Sequence, residues 1–247
     1  MLFRGVNHAG RDVPLRREPG REYPFSRAGM SYSLRYESPR LEACCWMPSH
    51  LRLFIAIDPP RETAVEAGRI IERLRRSGTE AAWVDPARMH LTLHFLGNNV
   101  DESELHGICV AMDDACRHLP PFEVAFGGVG VFPDPRNPRV VWLGVCEGQE
   151  PLGQLHAGLG ERLAPLGFQP EARGYRPHLT LGRLRRGRPG DPPASQALVA
   201  EVLALAEVAA GRMRATKVAL YSSRHERQGI EYDRLHAASL RGGMEAG

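Results

Sequence analysis

One tetrapeptide occurs twice in this sequence, and its residue types can carry out proton transfer. The segment His90–Leu93, with the sequence His-Leu-Thr-Leu, recurs as His178–Leu181, 88 residues later. A proline precedes each copy, and polar residues alternate with aliphatic ones, which predicts a β-strand. Because strand side chains alternate between two faces, the histidine and threonine of each copy share one face and the leucines face a core. Two such strands predict an internal repeat whose polar faces meet at one cleft.

Two histidines and two threonines around one cleft suit a displacement at phosphorus. Because histidine titrates near neutral pH, one member of a pair can act as general base while the other, protonated, acts as general acid. In-line displacement needs both, since one proton leaves the attacking oxygen and another reaches the departing oxygen. The threonine hydroxyls can donate hydrogen bonds to the non-bridging oxygens. The pattern therefore favours the opening of a phosphodiester, most simply a strained cyclic one that needs no metal.

The residues around the two motifs extend the pattern. The first motif continues as His-Phe-Leu-Gly over residues 94–97, and the second lies within Pro177–Arg183, Pro-His-Leu-Thr-Leu-Gly-Arg. The strand Arg52–Ile57, and then Trp83-Val84, Phe132-Pro133 and Arg139–Trp142, follow in the expected order. These segments resemble the 2H phosphoesterases, and more narrowly the LigT-like RNA 2′,3′-cyclic phosphodiesterases, once named 2′-5′ RNA ligases. The resemblance extends from about residue 51 to the C-terminal end.

The resemblance implies an activity and a set of site residues. It implies hydrolysis of RNA 2′,3′-cyclic phosphate ends to 2′-phosphates, with O3′ as leaving group and with neither metal nor cofactor. In that scheme His90 is the proton donor and His178 is the proton acceptor. Thr92, Thr180 and Arg183 bind the phosphate.

Two residues beside the motifs raise a question of strand geometry. Strict alternation sends Arg183 to the face opposite His178, because the two are five residues apart. A bulge or twist near Gly182 would return Arg183 to the cleft. His94 has the parity of His90, which predicts that it contacts the nucleotide or lines the rim of the cleft.

Two other classes of function remain open at this point. A metal-dependent phosphohydrolase could use His90 and His94 with a carboxylate, although no Asp or Glu lies on that strand face. A non-catalytic module that binds RNA ends could use the arginines at positions 183, 185, 186 and 188. Activity retained in a chelator argues against the first class, and turnover of a cyclic phosphate argues against the second.

Composition and charge indicate the class of protein and its cellular location. The chain has 247 residues, 43% of them hydrophobic, and no apolar run long enough to span a bilayer. Its five cysteines include no Cys-x-x-Cys pair, which predicts reduced thiols and a cytoplasmic location. Residues 1–50 contain the whole formal excess of positive charge and lack a hydrophobic period. We predict that they form a disordered basic extension. We also predict a monomer that acts on RNA ends or nucleoside 2′,3′-cyclic phosphates and does not bind a membrane.

Residues 51–247 are predicted to form a two-lobed domain. The pattern from Leu51 predicts the order strand, helix, motif strand, helix, strand, strand, helix, motif strand, helix, strand, strand. A Gly- and Pro-rich connection is expected over 127–138, and the fourth helix over about 194–210. The predicted fold class is α+β, with two pseudo-symmetric lobes of mostly antiparallel sheet and outer helices around a central cleft that carries the two motif strands.

Overall fold

The computed structural model describes residues 4–6, 12–14, 50–169, 174–184, 196–226 and 229–242. The chain divides into two units, Met1–Trp46 and Met47–Gly247. In the first unit, β1 (Arg4–Val6) pairs antiparallel with β2 (Asp12–Pro14). The remainder of the predicted disordered extension lies outside the described residues, up to His50.

The second unit has the predicted mixture of helices and strands. Its strands are β3 (His50–Ile57), β4 (Ala81–Trp83), β5 (Leu91–Asp101), β6 (Phe122–Phe132), β7 (Val140–Glu147), β8 (His178–Leu184), β9 (Ala209–Ala215), β10 (Lys217–Glu226) and β11 (Gly229–Ser239). Its α-helices are α1 (Arg61–Arg75), α2 (Leu105–Arg117), α3 (Gln149–Leu163) and α4 (Gln196–Ala204). The predicted α+β class is therefore confirmed.

The nine strands form one antiparallel sheet with two similar halves. The order is β11-β10-β3-β5-β8-β7-β6-β9, and β4 pairs with β8 beside this path. The halves, β11-β10-β3-β5 and β8-β7-β6-β9, join where Leu91 of β5 pairs with Leu179 of β8. The motif strands are thus neighbours at the centre of the sheet. β6 follows the first motif strand in sequence but lies in the half that contains the second one, where it pairs with β7. β10 follows the second motif strand but pairs with β3 in the half that contains the first one. Each half therefore combines strands from both parts of the sequence.

The helices cover the sheet with their apolar stripes. α2 and α3 pack together, α2 against β10 and β11 and α3 against β5, whereas α1 and α4 contact the strands β6, β8 and β9. The spacing of Ala67, Ile70, Ile71 and Leu74 places four buried side chains on one face of α1. Leu152, Leu155 and Leu159 do the same for α3. These stripes join the inward leucines of the motif strands in one hydrophobic core.

The structure corrects three predicted boundaries. The first half of the expected connection over 127–138 is strand, because β6 continues to Phe132. Gly130 allows the Trp142 ring to lie against β6, where a Cβ would overlap it. The fourth helix ends at Ala204 rather than near residue 210, because main-chain groups of Leu205 and Val208 accept hydrogen bonds from β6. The expected strand from Met213 to residue 222 is two strands, since β9 pairs with β6 and β10 pairs with β3 at the other end of the sheet.

Two further observations concern the length of the described helices and the state of the cysteines. No described helix combines the length and the apolar character that crossing a bilayer requires. Cys109, Cys116 and Cys146 are free thiols, and burial raises the pKa of Cys116 to about 12. Cys44 and Cys45 lie outside the described residues.

Candidate active site

The two motifs face each other across the centre of the sheet. Leu91 pairs with Leu179 antiparallel, and both leucines are fully buried. Extending this register by one residue in each direction sets His90 opposite Thr180 and Thr92 opposite His178. All four side chains point away from the core, so the two histidines occupy diagonal corners of one four-residue patch. The predicted convergence of the polar faces is observed.

Main-chain carbonyls fix both imidazole rings in the same way. His90 Nδ1 lies 3.1 Å from the carbonyl oxygen of Arg88, and His178 Nδ1 lies 2.7 Å from that of Arg176. A carbonyl oxygen can only accept a hydrogen bond, so each Nδ1 carries a proton. The remaining nitrogen, Nε2, is therefore the atom that gains or loses a proton in each histidine.

A β-bulge in each motif strand changes which side chains reach the cleft. On β8, Thr180 pairs with Trp142 and Gly182 with Val141, so Leu181 is the extra residue. Val140 then pairs with Arg183, which returns Arg183 to the face of Thr180. This is the bulge that the sequence pattern required near Gly182. It places Arg183 beside the phosphate-binding threonines that the resemblance implies.

A matching bulge on β5 reverses the predicted parity of His94, although His94 does line the cavity that Thr92 and His178 also line, as expected. Ala56 pairs with Thr92 and Ile55 with His94, so the extra residue is Leu93 and His94 turns to the core side. His94 is only 5% exposed, and its Nε2 lies 2.8 Å from the carbonyl oxygen of His156 on α3. Alternation over five residues fails here because the bulge adds one residue to β5. His90 and His94 consequently do not share a face, and the pair considered for a metal site is not formed.

His94 belongs instead to a stack of rings that the sequence analysis missed. Its ring centroid lies 4.3 Å from that of His156, which lies 4.2 Å from that of Tyr175. His156 Nδ1 lies 2.8 Å from the carbonyl oxygen of Leu93, and Tyr175 Oη donates to the carbonyl oxygen of Thr92 at 3.4 Å. This stack fastens α3 and the segment before β8 to the bulged part of β5. Neither His156 nor Tyr175 carries a sequence signal, because the contact depends on tertiary packing.

His90 lies in an aromatic and charged setting. Its ring centroid is 4.5 Å from that of Phe54 and 5.2 Å from that of Tyr232. Burial lowers the pKa of His90 below its usual value, and the Arg88 carbonyl and the Asp58 carboxylate act in the opposite direction. Positive charge on Arg183 lowers this pKa further, as does the other motif histidine. The net effect of these groups is a lowered pKa of His90, which the Asp58 carboxylate partly offsets.

His178 has different neighbours. Phe132 lies edge-on to its ring, with the centroids 5.1 Å apart, and the Trp142 ring lies 6.4 Å away. Gly144 of β7 pairs directly with His178. Trp142 Nε1 is buried, and among the described residues it has no hydrogen-bond partner.

A cavity of about 750 Å³ adjoins these residues. Four of the five predicted site residues line it, namely Thr92, His178, Thr180 and Arg183. His90 lies next to these four residues, because it is opposite Thr180 on the neighbouring strand. The cavity thus has the volume of a small-ligand site and carries hydroxyl, imidazole and guanidinium groups on one side.

The structure also bears on the two other classes of function. Within the described ranges, no group of three or more His, Cys, Asp or Glu side chains is placed to hold a metal ion. Of the four arginines considered for RNA binding, Arg183 is placed at the cleft. Positions 185, 186 and 188 lie outside the described residues.

Known proteins are similar to this chain in sequence. The family model described as the 2′-5′ RNA ligase superfamily matches residues 59–227. An RNA 2′,3′-cyclic phosphodiesterase of Methanothermobacter thermautotrophicus is 38% identical over 70% of this chain and 90% of its own length. One of Thermotoga maritima is 35% identical over 78% of this chain and 98% of its own length.

A solved structure agrees with the sequence comparisons. The crystal structure of E. coli LigT complexed with 3′-AMP has a TM-score of 0.58 and 26% identity. The match covers 77% of this chain and 98% of that one. From its paired motifs, its fold and these matches, the chain belongs to the 2′-5′ RNA ligase superfamily, as a LigT-like 2H phosphoesterase.

Proposed function

We propose that this protein hydrolyses 2′,3′-cyclic phosphate ends of RNA to 2′-phosphates by a two-histidine mechanism that uses no metal. The observation that carries the proposal is the diagonal arrangement of His90, Thr92, His178 and Thr180 around the Leu91–Leu179 pair. Two relatives that match this chain over 90% and 98% of their own length are named RNA 2′,3′-cyclic phosphodiesterase, which supports the same substrate class. We further propose that the protein acts as a cytoplasmic monomer and that residues 51–247 form the catalytic domain.

The diagonal arrangement suits in-line attack. A phosphate centred over the four-residue patch has one imidazole on each side, because the two histidines occupy opposite corners. Water then approaches phosphorus from the side of one histidine while the ribose oxygen departs toward the other. The two threonine hydroxyls lie at the remaining corners and can donate hydrogen bonds to the non-bridging oxygens.

Two protons move in this mechanism, one from water to His178 and one from His90 to O3′. Nε2 of His178 accepts a proton from water as its oxygen forms a bond to phosphorus. Nε2 of His90 donates a proton to O3′ as the bond between phosphorus and O3′ breaks. The product is a 2′-phosphate monoester with a free 3′-hydroxyl. Arg183 neutralises part of the phosphate charge from the same face.

Single histidine variants test this proposal. His90→Ala and His178→Ala should each reduce kcat for adenosine 2′,3′-cyclic phosphate by about two orders of magnitude or more, as loss of a general acid or base does. Thr92→Ala and Thr180→Ala should each cost less, because each removes one hydrogen bond to a charged phosphate oxygen, which contributes about 1.5–3 kcal/mol.

A matched control separates chemistry from folding. His106 is an exposed histidine on α2, and His106→Ala should keep wild-type turnover and melting temperature. If either motif-histidine variant kept near-normal turnover with an intact fold, the acid–base assignment would be wrong.

A further inference from the structure

The two halves of the sheet put different residues beside the two motif histidines. Ile57 of β3 pairs with Leu91, so extending that register by one residue sets Asp58 opposite His90. In the other half the position beside His178 is occupied by Gly144 of β7, which pairs with it directly. A carboxylate therefore flanks one histidine, and a residue without a side chain flanks the other.

Tyr221 holds this carboxylate at the end of β3. Its phenol oxygen lies 2.7 Å and 2.6 Å from the two carboxylate oxygens of Asp58. The Tyr221 ring stacks on Phe54 with centroids 5.4 Å apart, and Phe54 packs on His90 at 4.5 Å. Burial, together with the adjacent carboxylate, raises the pKa of Tyr221, so the phenol stays protonated and donates. The carboxylate, the phenol and the imidazole thus form one packed group on the cleft face.

Close packing explains why the other half does not repeat the carboxylate. A Cβ at Gly144 would lie 3.0 Å from the carbonyl oxygen of Gly127 and 3.0 Å from the Trp142 ring. Any side chain there would displace β6 main chain or the indole that packs beside His178. Packing around Gly144 therefore disfavours a carboxylate beside His178, whereas Asp58 provides one beside His90.

We propose that Asp58, held by Tyr221, is a positioning residue that stabilises the protonated form of His90 and thereby makes His90 the proton donor and His178 the base. The proposal rests on the proposed function, because it assigns the two roles within that reaction. The duplicated motif itself is symmetric and leaves either histidine able to serve on either side. The Asp58 carboxylate supplies the asymmetry that selects one direction.

Among the residues that the structure describes, the other groups that face His90 do not supply this negative charge. From β8, the cation Arg183 and the imidazole of His178 disfavour its protonation. From β11 and β10, Tyr232 and Tyr221 present phenols, and burial raises the pKa of both. Within its own segment, the Arg88 carbonyl accepts from Nδ1. Asp58 therefore opposes the effect of burial with a full charge from the adjacent strand.

Asp58→Asn tests the proposal, because the amide keeps an acceptor for Tyr221 and removes the charge. At pH values above both histidine pKa values, the rate depends on the fraction of the donor histidine that is protonated. At pH values below both, it depends on the fraction of the base that is neutral. A change confined to His90 therefore affects only one side of the kcat/KM profile, and that side reveals the role of His90.

The expected result has two parts. The His90 titration midpoint, followed by NMR in the free protein, should fall by about one pH unit, the lower end expected for loss of a neighbouring charge at an exposed carboxylate. The value of kcat/KM for adenosine 2′,3′-cyclic phosphate should fall about tenfold at pH 8.5 and stay unchanged at a pH below both histidine midpoints of the variant. Tyr221→Phe, which releases the carboxylate, should move the midpoint in the same direction by less. Glu72→Gln, an equal charge change at an exposed position of α1, should alter neither quantity.

Other outcomes overturn the proposal in distinguishable ways. An unchanged His90 midpoint in Asp58→Asn removes its electrostatic basis. A rise in kcat/KM on the acid side, with the alkaline side unchanged, would make His90 the base. Equal losses at both pH values would indicate a structural role only. If the wild-type protein failed to open any cyclic phosphate, the proposed function would fail, while the NMR titration would still report whether Asp58 stabilises protonated His90.

Discussion

Replacing Arg183 with alanine should weaken catalysis because this side chain reaches the cleft only through the bulge at Leu181. Val140 pairs with Arg183 beyond the bulge, on the face that carries Thr180. The guanidinium can therefore donate hydrogen bonds to a phosphate over the motif. Without the bulge the same side chain would point to the core side, where it could not contact a phosphate in the cleft.

The expected loss of kcat/KM in Arg183→Ala can be estimated from the exposure of this side chain. A hydrogen bond from a charged donor contributes about 1.5–3 kcal/mol, and exposure of Arg183 to solvent places it at the lower end. A loss of about 1.5 kcal/mol corresponds to a roughly tenfold decrease in kcat/KM. Because the Arg183 charge also lowers the pKa of His90, the His90 midpoint should rise in the same variant. Arg183→Lys keeps the charge without the planar fork and should give an intermediate loss.

The assay is steady-state hydrolysis of adenosine 2′,3′-cyclic phosphate at pH 7, combined with NMR titration of His90. Arg69→Ala serves as the control, because Arg69 is an exposed arginine on α1 that pairs with Glu66. Wild-type kcat/KM in Arg183→Ala would refute the argument that the bulge delivers a phosphate ligand. A lower kcat/KM with an unchanged His90 midpoint would show that Arg183 acts without the predicted electrostatic contact.

Two further predictions concern the extension and the pH dependence of stability. Deleting residues 1–46 should leave kcat/KM on the cyclic mononucleotide and the melting temperature unchanged, since the catalytic residues lie in the Met47–Gly247 unit; a large drop in either quantity would show that the extension supports the catalytic unit. Because the pKa of His90 is lower in the folded protein than in the unfolded chain, the unfolded chain binds more protons between the two values. The free energy of unfolding, measured in urea, should therefore decrease as pH falls below about 6.5, and more steeply in wild type than in His90→Gln. Equal slopes would contradict the lowered pKa.

Much of the site was predictable because the information is local. Alternation placed Leu91, Leu93, Leu179 and Leu181 in the core, and all four are buried. The duplicated motif indicated two equivalent strands, and the structure makes them central neighbours. The order of helices and strands followed from hydrophobic period and turn residues, with boundary errors where tertiary pairing changed the local preference.

The parts that were not predictable depend on contacts between distant segments. A bulge adds one residue to one strand, so its position depends on the partner strand as well as on the sequence of the strand itself. The pattern raised the bulge near Gly182 as a condition for Arg183, but nothing in the pattern indicated the matching one at Leu93. The predicted parity of His94 was therefore wrong, although His94 does line the cavity beside Thr92. The Asp58–Tyr221 pair joins residues 163 positions apart, which periodicity cannot detect.

The central claim is that two histidines open a cyclic phosphate without a metal and release O3′. An oligonucleotide ending in a 2′,3′-cyclic phosphate, incubated with the protein in EDTA and analysed by phosphorus NMR, tests this most directly. The account predicts full conversion to a 2′-phosphate at the same rate with and without the chelator. Loss of turnover in EDTA that a divalent metal restores would contradict the metal-independent mechanism, and a 3′-phosphate product would reverse the roles of His90 and His178.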